Sequence, residues 1–297
     1  MQACAFNCIT MQPNSQGFLY PAIDASRCVS CGACERACPA NAAEGKNPLP
    51  LKVLAARVND PEILSKSSSG GIAWLLADAC LRNGGVIYGA AFDDAMTLRH
   101  IRVTDEAGLT RLQGSKYVQS DIQEIYPLLR EDLTSGRNVL FFGTPCQAAG
   151  IKKTFGMREN LTLCDLICHG VPSPKLFADH IRCIEASGKK VSDYRFRDKT
   201  IRRCSSAPCA RKKSFIPFLN IRYHMLGLME RESCYHCPYK DVRRVGDVTL
   251  GDYWGNSRVS EQFSDDRGVN VVFFNTEKVI SQFYPILQDR AVFLETE

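Results

Sequence analysis

Cys28-Val29-Ser30-Cys31-Gly32-Ala33-Cys34-Glu35-Arg36-Ala37-Cys38-Pro39 is a C-x2-C-x2-C-x3-C-P run, a spacing that wraps three thiolates around a 4Fe-4S cube. A short loop turning about the metal points Cys28, Cys31 and Cys34 inward. Cys38, beside the proline, is carried away from that cube. A zinc knuckle or a disulfide set is the plain alternative, but the full spacing is specific to iron–sulfur binding. The run therefore assigns one-electron transfer as the first task of the chain.

In two-cluster ferredoxins the fourth Cys of each run ligates the other cube. No second C-x2-C-x2-C run follows in this sequence, and upstream stand only Cys4 and Cys8. Ala3-Cys4-Ala5 looks like the tail of a first motif whose opening cysteines lie before Met1, so the chain is expected to be N-terminally clipped. On that reading Cys4 completes the cube of Cys28, Cys31 and Cys34, and Cys38 belongs to an outer cube whose other ligands are missing. Cys8 is a substitute for Cys4; neither is followed by proline.

The chain has 297 residues, 45% of them hydrophobic, enough for a large domain with a small one beside it. No run approaches the ~18 apolar residues that span a bilayer, and no basic-then-apolar signal peptide opens the sequence. Fifteen Cys suit a secreted disulfide scaffold, but the iron–sulfur run and the size argue for a reducing cytoplasm. The formal charge of +5 falls to roughly +1 once two cubes of about −2 each are counted. That leaves little case for nucleic acid as a partner.

Residues 1–48 form the cysteine-rich module, closed by the linker Asn47-Pro48-Leu49-Pro50. Residues 49–297 follow as a larger α/β domain. Ile72 to Cys80 reads as a helix stopped by Gly84-Gly85, and Val86 to Phe92 and Leu98 to Thr104 read as strands. A helix over Asp121 to Thr134, a strand over Asn138 to Phe142, a helix from Gln147, a strand from Leu161 to Cys168 and a helix from Pro174 to Ser187 continue the alternation. The pattern predicts a mainly parallel sheet with helices packed on it. Strands at Asp247 to Leu250 and Val269 to Asn275 and a terminal helix from Glu277 complete the reading.

Four places in this domain carry chemistry. Ser67-Ser68-Ser69-Gly70-Gly71 opens a helix, where free N–H groups and the dipole favour an anion such as a cofactor phosphate; an ordinary Ser cap is the alternative. Gly143-Thr144-Pro145-Cys146-Gln147 puts a Cys at a strand-to-helix turn, where open α/β sheets place ligands. That Cys is compatible with a nucleophile, a ligand or a packed thiol. Cys164 and Cys168, four apart on the expected strand, share a face, and His169 and Gly170 follow. Cys234-Tyr235-His236-Cys237-Pro238 is a half-site as compatible with zinc as with iron.

These runs, with Gly114-Ser115-Lys116-Tyr117-Val118-Gln119-Ser120, Ile167 to Ser173, Phe196-Arg197-Asp198-Lys199 and Gly251-Asp252-Tyr253-Trp254-Gly255, strongly resemble the beta subunits of coenzyme F420-reducing hydrogenase and dehydrogenase. The resemblance covers almost the whole chain in order. It implies a small ferredoxin-like module (α+β) followed by a mixed α/β flavin-binding domain. It implies FAD and two 4Fe-4S clusters in this chain, the second held by Cys146, Cys168, Cys234 and Cys237. Ser67, Ser68, Ser69, Gly70, Gly71, Gly114, Ser115, Lys116 and Tyr117 then bind the flavin cofactor. Members with this N-terminal module often look like accessory enzymes of polysaccharide gene clusters. The stretch Thr200 to Phe218 departs from the family pattern.

The cofactors implied set the expected function. Cubes carry single electrons and flavin takes or gives a hydride, so the flavin is where a two-electron substrate such as coenzyme F420 meets the chain. A redox partner protein or ferredoxin is the expected partner, and an oligomer is compatible with the sequence. His169 is a candidate proton relay. A pure electron-transfer subunit serving a catalytic partner is the alternative; a zinc-stabilised nucleic-acid-binding protein using the basic segment around Arg202 is a remote one. Cys80 and Cys183 read as buried small hydrophobes within helices, Cys164 as a lining residue of the cluster pocket, and Cys204 and Cys209 as parts of a solvated basic loop.

Overall fold

Two short strands around a turn opened by Asn14 build a hairpin ahead of the cysteine loop. Its strands β1 (Ile9–Pro13) and β2 (Leu19–Ile23) pair antiparallel, Ile9 opposite Ile23. Asn14 closes the turn: its Oδ1 accepts from Gln16 N at 3.1 Å and Phe18 N at 2.9 Å, and Gly17 takes φ 85°, as a side-chain-mimicked turn requires. The cysteine loop then winds through two left-handed residues, Ser30 at φ 54° and Gly32 at φ 69°, into the short helix α1 (Ala33–Ala37). Cys34 sits inside α1 and Cys38 caps its far end. The structure, a computed structural model, describes residues 2–41, 45–186, 188, 190–199, 204–209, 212–214, 224, 226–254, 261–265 and 267–296.

The larger domain runs β3 (Lys52–Val58), α2 (Pro61–Lys66), α3 (Ile72–Arg82), β4 (Val86–Phe92), β5 (Leu98–Val103), α4 (Glu106–Leu112), α5 (Ile125–Thr134), β6 (Val139–Gly143), α6 (Pro145–Phe155), β7 (Leu161–Leu166) and α7 (Pro174–Glu185). It continues with β8 (Arg195–Asp198), β9 (Cys204–Cys209), β10 (Lys212–Ser214), α8 (Glu232–Tyr235), β11 (Val248–Asp252), β12 (Asn270–Phe274), α9 (Glu277–Arg290) and β13 (Ala291–Thr296). One eight-stranded sheet has the order β13-β3-β12-β11-β7-β6-β4-β5. A second, antiparallel sheet joins β8, β9 and β10.

The sheet is buried on both faces, which is why its central strands read as unbroken apolar runs. Leu140, Cys164 and Val248 pack with α3 and α9 residues such as Leu76 and Phe283. Val139, Phe141 and Leu163 pack on the other face with Leu129 of α5 and Ile151 of α6. Helix starts follow the chemistry of their caps. Asp60 Oδ1 accepts from Glu62 N and Ile63 N ahead of α2, and Ser173 caps α7; both precede a proline at the first helical position.

Several sequence expectations change here. The sheet is mixed: β4, β6, β7 and β11 run parallel, but β5, β12, β3 and β13 join antiparallel. The strand expected through Cys168 ends at Leu166, so Cys164 and Cys168 do not share a strand face. Cys164 is fully buried in the core with Cys80 and does not line a cluster pocket. Cys183, expected to be buried, is exposed on α7. The α9 helix ends at Arg290, and the chain returns as β13 to pair with β3; neither strand was expected. Thr200 to Arg203 and Phe215 to Phe218 of the departing stretch lie outside the described residues, as do the side chains of Cys204 and Cys209.

Candidate metal centre and cofactor cleft

The carboxyl ends of β6, β7 and β11 form one edge of the sheet, the place where a helix dipole and free backbone groups meet a ligand. Cys146 is the second residue of α6, after Pro145. Its turn is fixed: Thr144 N donates to Gln147 Oε1 at 3.0 Å, and Gln147 Nε2 donates to Ser120 O at 3.2 Å and Ser120 Oγ at 3.0 Å. Cys168 lies just past β7. Cys234 sits in α8, and Cys237 N donates to Cys234 O at 3.3 Å. Arg231 N donates to Val171 O at 3.0 Å, so the Cys168 loop and the α8 segment are stitched together.

The structure brings these four thiols within electrostatic reach of one another. Burial pushes the Cys168 thiol up to about 12, and Cys146, Cys234 and Cys237 push the same way. Burial also raises Cys146 and Cys234, each with a contribution from Cys237. Cys146 is exposed as a residue, so the crowding is local to its sulfur. Thiolates so placed repel one another and need a cationic group among them, and bound metal deprotonates thiols outright. Soft donors at a helix N-terminus fit a 4Fe-4S cube. Among the described residues, no three His, Cys, Asp or Glu side chains converge on a single ion; a cube takes one thiolate per iron and keeps its ligands apart.

A buried brace holds this edge. Asp165 is fully buried: its Oδ1 accepts from Thr249 Oγ1 at 2.5 Å and its Oδ2 from Gly246 N at 3.0 Å. Arg244 pairs with it at 3.4 Å and donates to Leu166 O at 2.8 Å and Tyr239 O at 3.1 Å. One guanidinium thereby joins the segment before Cys168 to the segment after Cys237.

In the N-terminal module, Cys4 Sγ lies 3.2 Å from Cys8 Sγ. That contact, burial and the nearby Cys28 push the Cys8 thiol up to about 11, while Cys4 is lowered. Cys8 therefore stands between its contact with Cys4 and the nearby Cys28. Cys31 is exposed and Cys34 half-buried. Cys38 faces the larger domain: its carbonyl accepts from Lys153 Nζ of α6 at 3.2 Å, and the next carbonyl, Pro39 O, accepts from Tyr239 Oη at 2.6 Å. The end of α1 is thus tied to the larger domain through the Cys38 and Pro39 carbonyls.

The serine-glycine turn is largely committed to the fold. Ser67 Oγ donates to Ile63 O at 2.7 Å, Ser69 Oγ donates to Val269 O at 2.8 Å, and Ser68 Oγ accepts from Ser115 N at 2.7 Å. A Cβ on Gly70 would stand 2.5 Å from Ala56 O and 2.7 Å from Asn270 N, so that glycine permits close packing on β3 and β12. Gly71 caps α3 at φ 83° and Ile72 N already donates to Asn270 Oδ1 at 3.2 Å. Lys116 spends its ammonium on the end of α4, donating to Leu112 O, Gln113 O and Gly114 O at 2.9, 3.0 and 3.1 Å. Among the described residues, Ser67, Gly70, Gly71, Gly114, Ser115, Lys116 and Tyr117 do not line the cleft.

Ser68 and Ser69 do. They border a cleft of about 50 Å³ walled by Arg197, Lys199, Asp252 and Trp254. Arg197 is paired with Asp252 and lies 5.9 Å from the Trp254 ring. Lys199 Nζ donates to Ser69 O and Leu64 O, each at 2.7 Å; burial, then Arg197 and Arg57, lower its pKa to about 8. The lining mixes two cations, Arg197 and Lys199, with the carboxylates Asp198, Asp252 and Asp265, a serine hydroxyl and an exposed indole, polar groups of the kind that meet the ribityl and phosphate part of a flavin nucleotide. The volume suits a phosphate-sized group, small beside the ~300 Å³ at which whole-ligand pockets begin. Arg197, Lys199, Asp252 and Trp254 all fall within the family-like runs of the sequence.

His169 acquires the partner that sequence could not supply. Its ring is 5.3 Å from that of His224, edge to face, and His224 Nδ1 lies 2.6 Å from Glu230 Oε1. His224 is buried, and burial lowers its pKa. Tyr117 stands 5.2 Å from the His224 ring and edge-on to Phe196, next to Arg197. A polar file thus runs from the Cys168 loop toward the cleft.

Fold and site together define a mixed α/β protein with a ferredoxin-type module seated against a four-cysteine sheet edge. The chain belongs to the coenzyme F420 hydrogenase/dehydrogenase beta subunit family: the C-terminal domain of that family matches residues 136–294 and the N-terminal domain residues 53–126. Residues 1–42 match a 4Fe-4S dicluster domain. Among solved structures, the chain is similar to one in the xenon-derivatized F420-reducing NiFe hydrogenase complex from Methanosarcina barkeri. The TM-score is 0.59 at 18% identity, over 84% of this chain and 83% of that one, a likeness of fold. No curated protein matches the chain. No helix among the described residues is long and apolar enough to cross a membrane.

Proposed function

We propose that this chain is an iron–sulfur flavoprotein oxidoreductase that passes electrons between 4Fe-4S clusters and FAD and on to a two-electron acceptor such as coenzyme F420 or a related compound. The observation that carries this reading is the mutual electrostatic influence of Cys146, Cys168, Cys234 and Cys237 at one end of the sheet, with the segment after Cys237 tied to the N-terminal module through Tyr239 and Pro39. The clusters supply one-electron steps and the flavin converts pairs of them into a hydride.

The remaining work falls to side chains. Arg197, Lys199 and Ser68 hold the anionic end of the flavin nucleotide, with Trp254 available to stack. His169, oriented through His224 and Glu230, relays the proton that accompanies hydride chemistry. Arg244 and Asp165 keep the Cys168 and Cys237 segments in register.

A second reading, an electron-transfer subunit serving a catalytic partner, is favoured by one observation: the similar solved chain comes from a multi-subunit hydrogenase complex. Anaerobically purified protein separates the two. Retained flavin and reduction of F420 by the isolated chain with an artificial one-electron donor support the first reading. Clusters reduced by the donor, with no flavin and no two-electron product, support the second and overturn the first.

A further inference from the structure

Resting on the reading above, in which both cysteine groups hold clusters, we propose that the Tyr239 hydroxyl is the bridge by which electrons cross between the N-terminal module and the inner four-cysteine site. Tyr239 lies two residues past Cys237 and is 3% exposed. Its hydroxyl donates to Pro39 O at 2.6 Å, across the seam where the two parts of the chain pack together. The phenol thereby links the carbonyl next to Cys38 to the segment that carries Cys237.

The geometry orders the route. Cys34 inside α1 and Cys38 at its C-cap stand one turn apart, Pro39 follows Cys38, and Tyr239 continues directly by peptide bonds to Cys237. Electron tunnelling decays far more steeply through empty space than through bonds or a short hydrogen bond. The hydrogen bond to Pro39 O replaces a van der Waals gap with a bonded contact, in a place kept dry by burial. Other ties hold the same seam farther along the chain from an inner cysteine. Lys153 Nζ donates to Cys38 O at 3.2 Å and Lys152 Nζ to Gly45 O at 2.7 Å from the last turn of α6, two turns from Cys146, and Asn47 Nδ2 donates to Gly246 O at 2.7 Å.

The step balances simply. One electron leaves the group held behind Cys34, which is oxidised by one unit, and arrives at the group held by Cys237 and its companions, which is reduced by one unit. No bond forms or breaks, and the phenol keeps its proton.

The test is Tyr239→Phe in the full chain, purified anaerobically and mixed with a limiting one-electron reductant. Rapid-freeze EPR follows the electron from the N-terminal signal to the inner one, the two being assigned with Cys146→Ala. The expected result is transfer slowed about tenfold, equivalent to ~1.4 kcal/mol of barrier, with iron content and both midpoint potentials unchanged. Lys153→Ala, which loosens the same seam, should leave the rate as in the native chain. An unchanged rate in Tyr239→Phe overturns the proposal. So does loss of iron or a shifted potential, since the hydroxyl would then be building a site, and so does equal slowing in Lys153→Ala. A native chain lacking either EPR signal would instead defeat the functional reading on which the proposal rests.

Discussion

His224 Nδ1 and Glu230 Oε1 are 2.6 Å apart inside the protein, and both residues are less than a tenth exposed. Burial favours the neutral imidazole, so Nδ1–H donates to the carboxylate and Nε2 is left as the acceptor. His169 packs against that ring edge to face. The pair gives His169 a defined neighbour where a flexible one would leave its ring free to turn.

Glu230→Gln should therefore slow proton-dependent turnover by about 10-fold, the lower end of what an orienting partner contributes. A Gln side chain both donates and accepts, so the His224 tautomer is no longer dictated. Iron and flavin content should stay constant while the pH profile of the rate moves. Unchanged turnover with an unchanged profile would remove the pair from the relay.

The cleft predictions separate binding from folding. Arg197→Ala and Ser68→Ala should weaken flavin retention with little effect on the melting temperature. Gly70→Ala should do the reverse, because its Cβ meets Ala56 O at 2.5 Å and overpacking of this kind costs ~1–3 kcal/mol. Flavin content and thermal unfolding measured on all three variants check this. Retention of stoichiometric flavin by Arg197→Ala would place the nucleotide elsewhere.

How far the sequence could be read depended on whether the information was local. The helix at Ile72 and the strands at Val86 and Val139 announce themselves through apolar runs and glycine stops. Strand β3 does not, because Lys52 to Val58 becomes a strand only when Asn270–Phe274 and Ala291–Thr296 arrive to pair with it. The cysteines were visible one by one, but the strand ending at Leu166, which frees Cys168, was not. The cleft walls Arg197 and Trp254, the pair His224–Glu230 and the contact Tyr239–Pro39 join segments distant in the chain. No periodicity or spacing signals such contacts. The serine-glycine run shows the converse: a legible motif whose hydroxyls and glycines mostly serve packing.

For the N-terminal module, the 3.2 Å contact between Cys4 and Cys8 makes a single substitution at either position replaceable by its neighbour. The double variant Cys4→Ala, Cys8→Ala should lose the N-terminal cube. Cys38→Ala, at the end of α1 that is tied to α6 through its carbonyl, should keep it. EPR of the reduced variants decides the matter; loss of the signal in Cys38→Ala alone would mean that the run closes its own cube.

Away from both sites, Asp132 accepts from Tyr88 Oη at 2.6 Å, Arg102 Nε at 2.7 Å and Arg137 Nη1 at 2.9 Å. Burial alone would raise its pKa, but Arg102, Tyr88 and Arg137 outweigh it and hold the carboxyl below its ordinary value. Its contribution to stability is therefore complete above the ordinary carboxylate range and is lost as pH falls through the lowered folded-state pKa. Asp132→Ala should cost ~3 kcal/mol near neutral pH, and the gap from the native chain should narrow in acid. Urea titrations across pH measure both, and a gap independent of pH would contradict the charge-based account.

The central claim is that four cysteines from three segments hold one cluster, and iron counting tests it most directly. Anaerobically prepared native chain should contain about eight irons, and Cys146→Ala, Cys168→Ala, Cys234→Ala or Cys237→Ala about four, with the N-terminal signal retained. Full iron content and an unaltered spectrum in Cys146→Ala, or a colourless native chain loaded with zinc, would contradict the account.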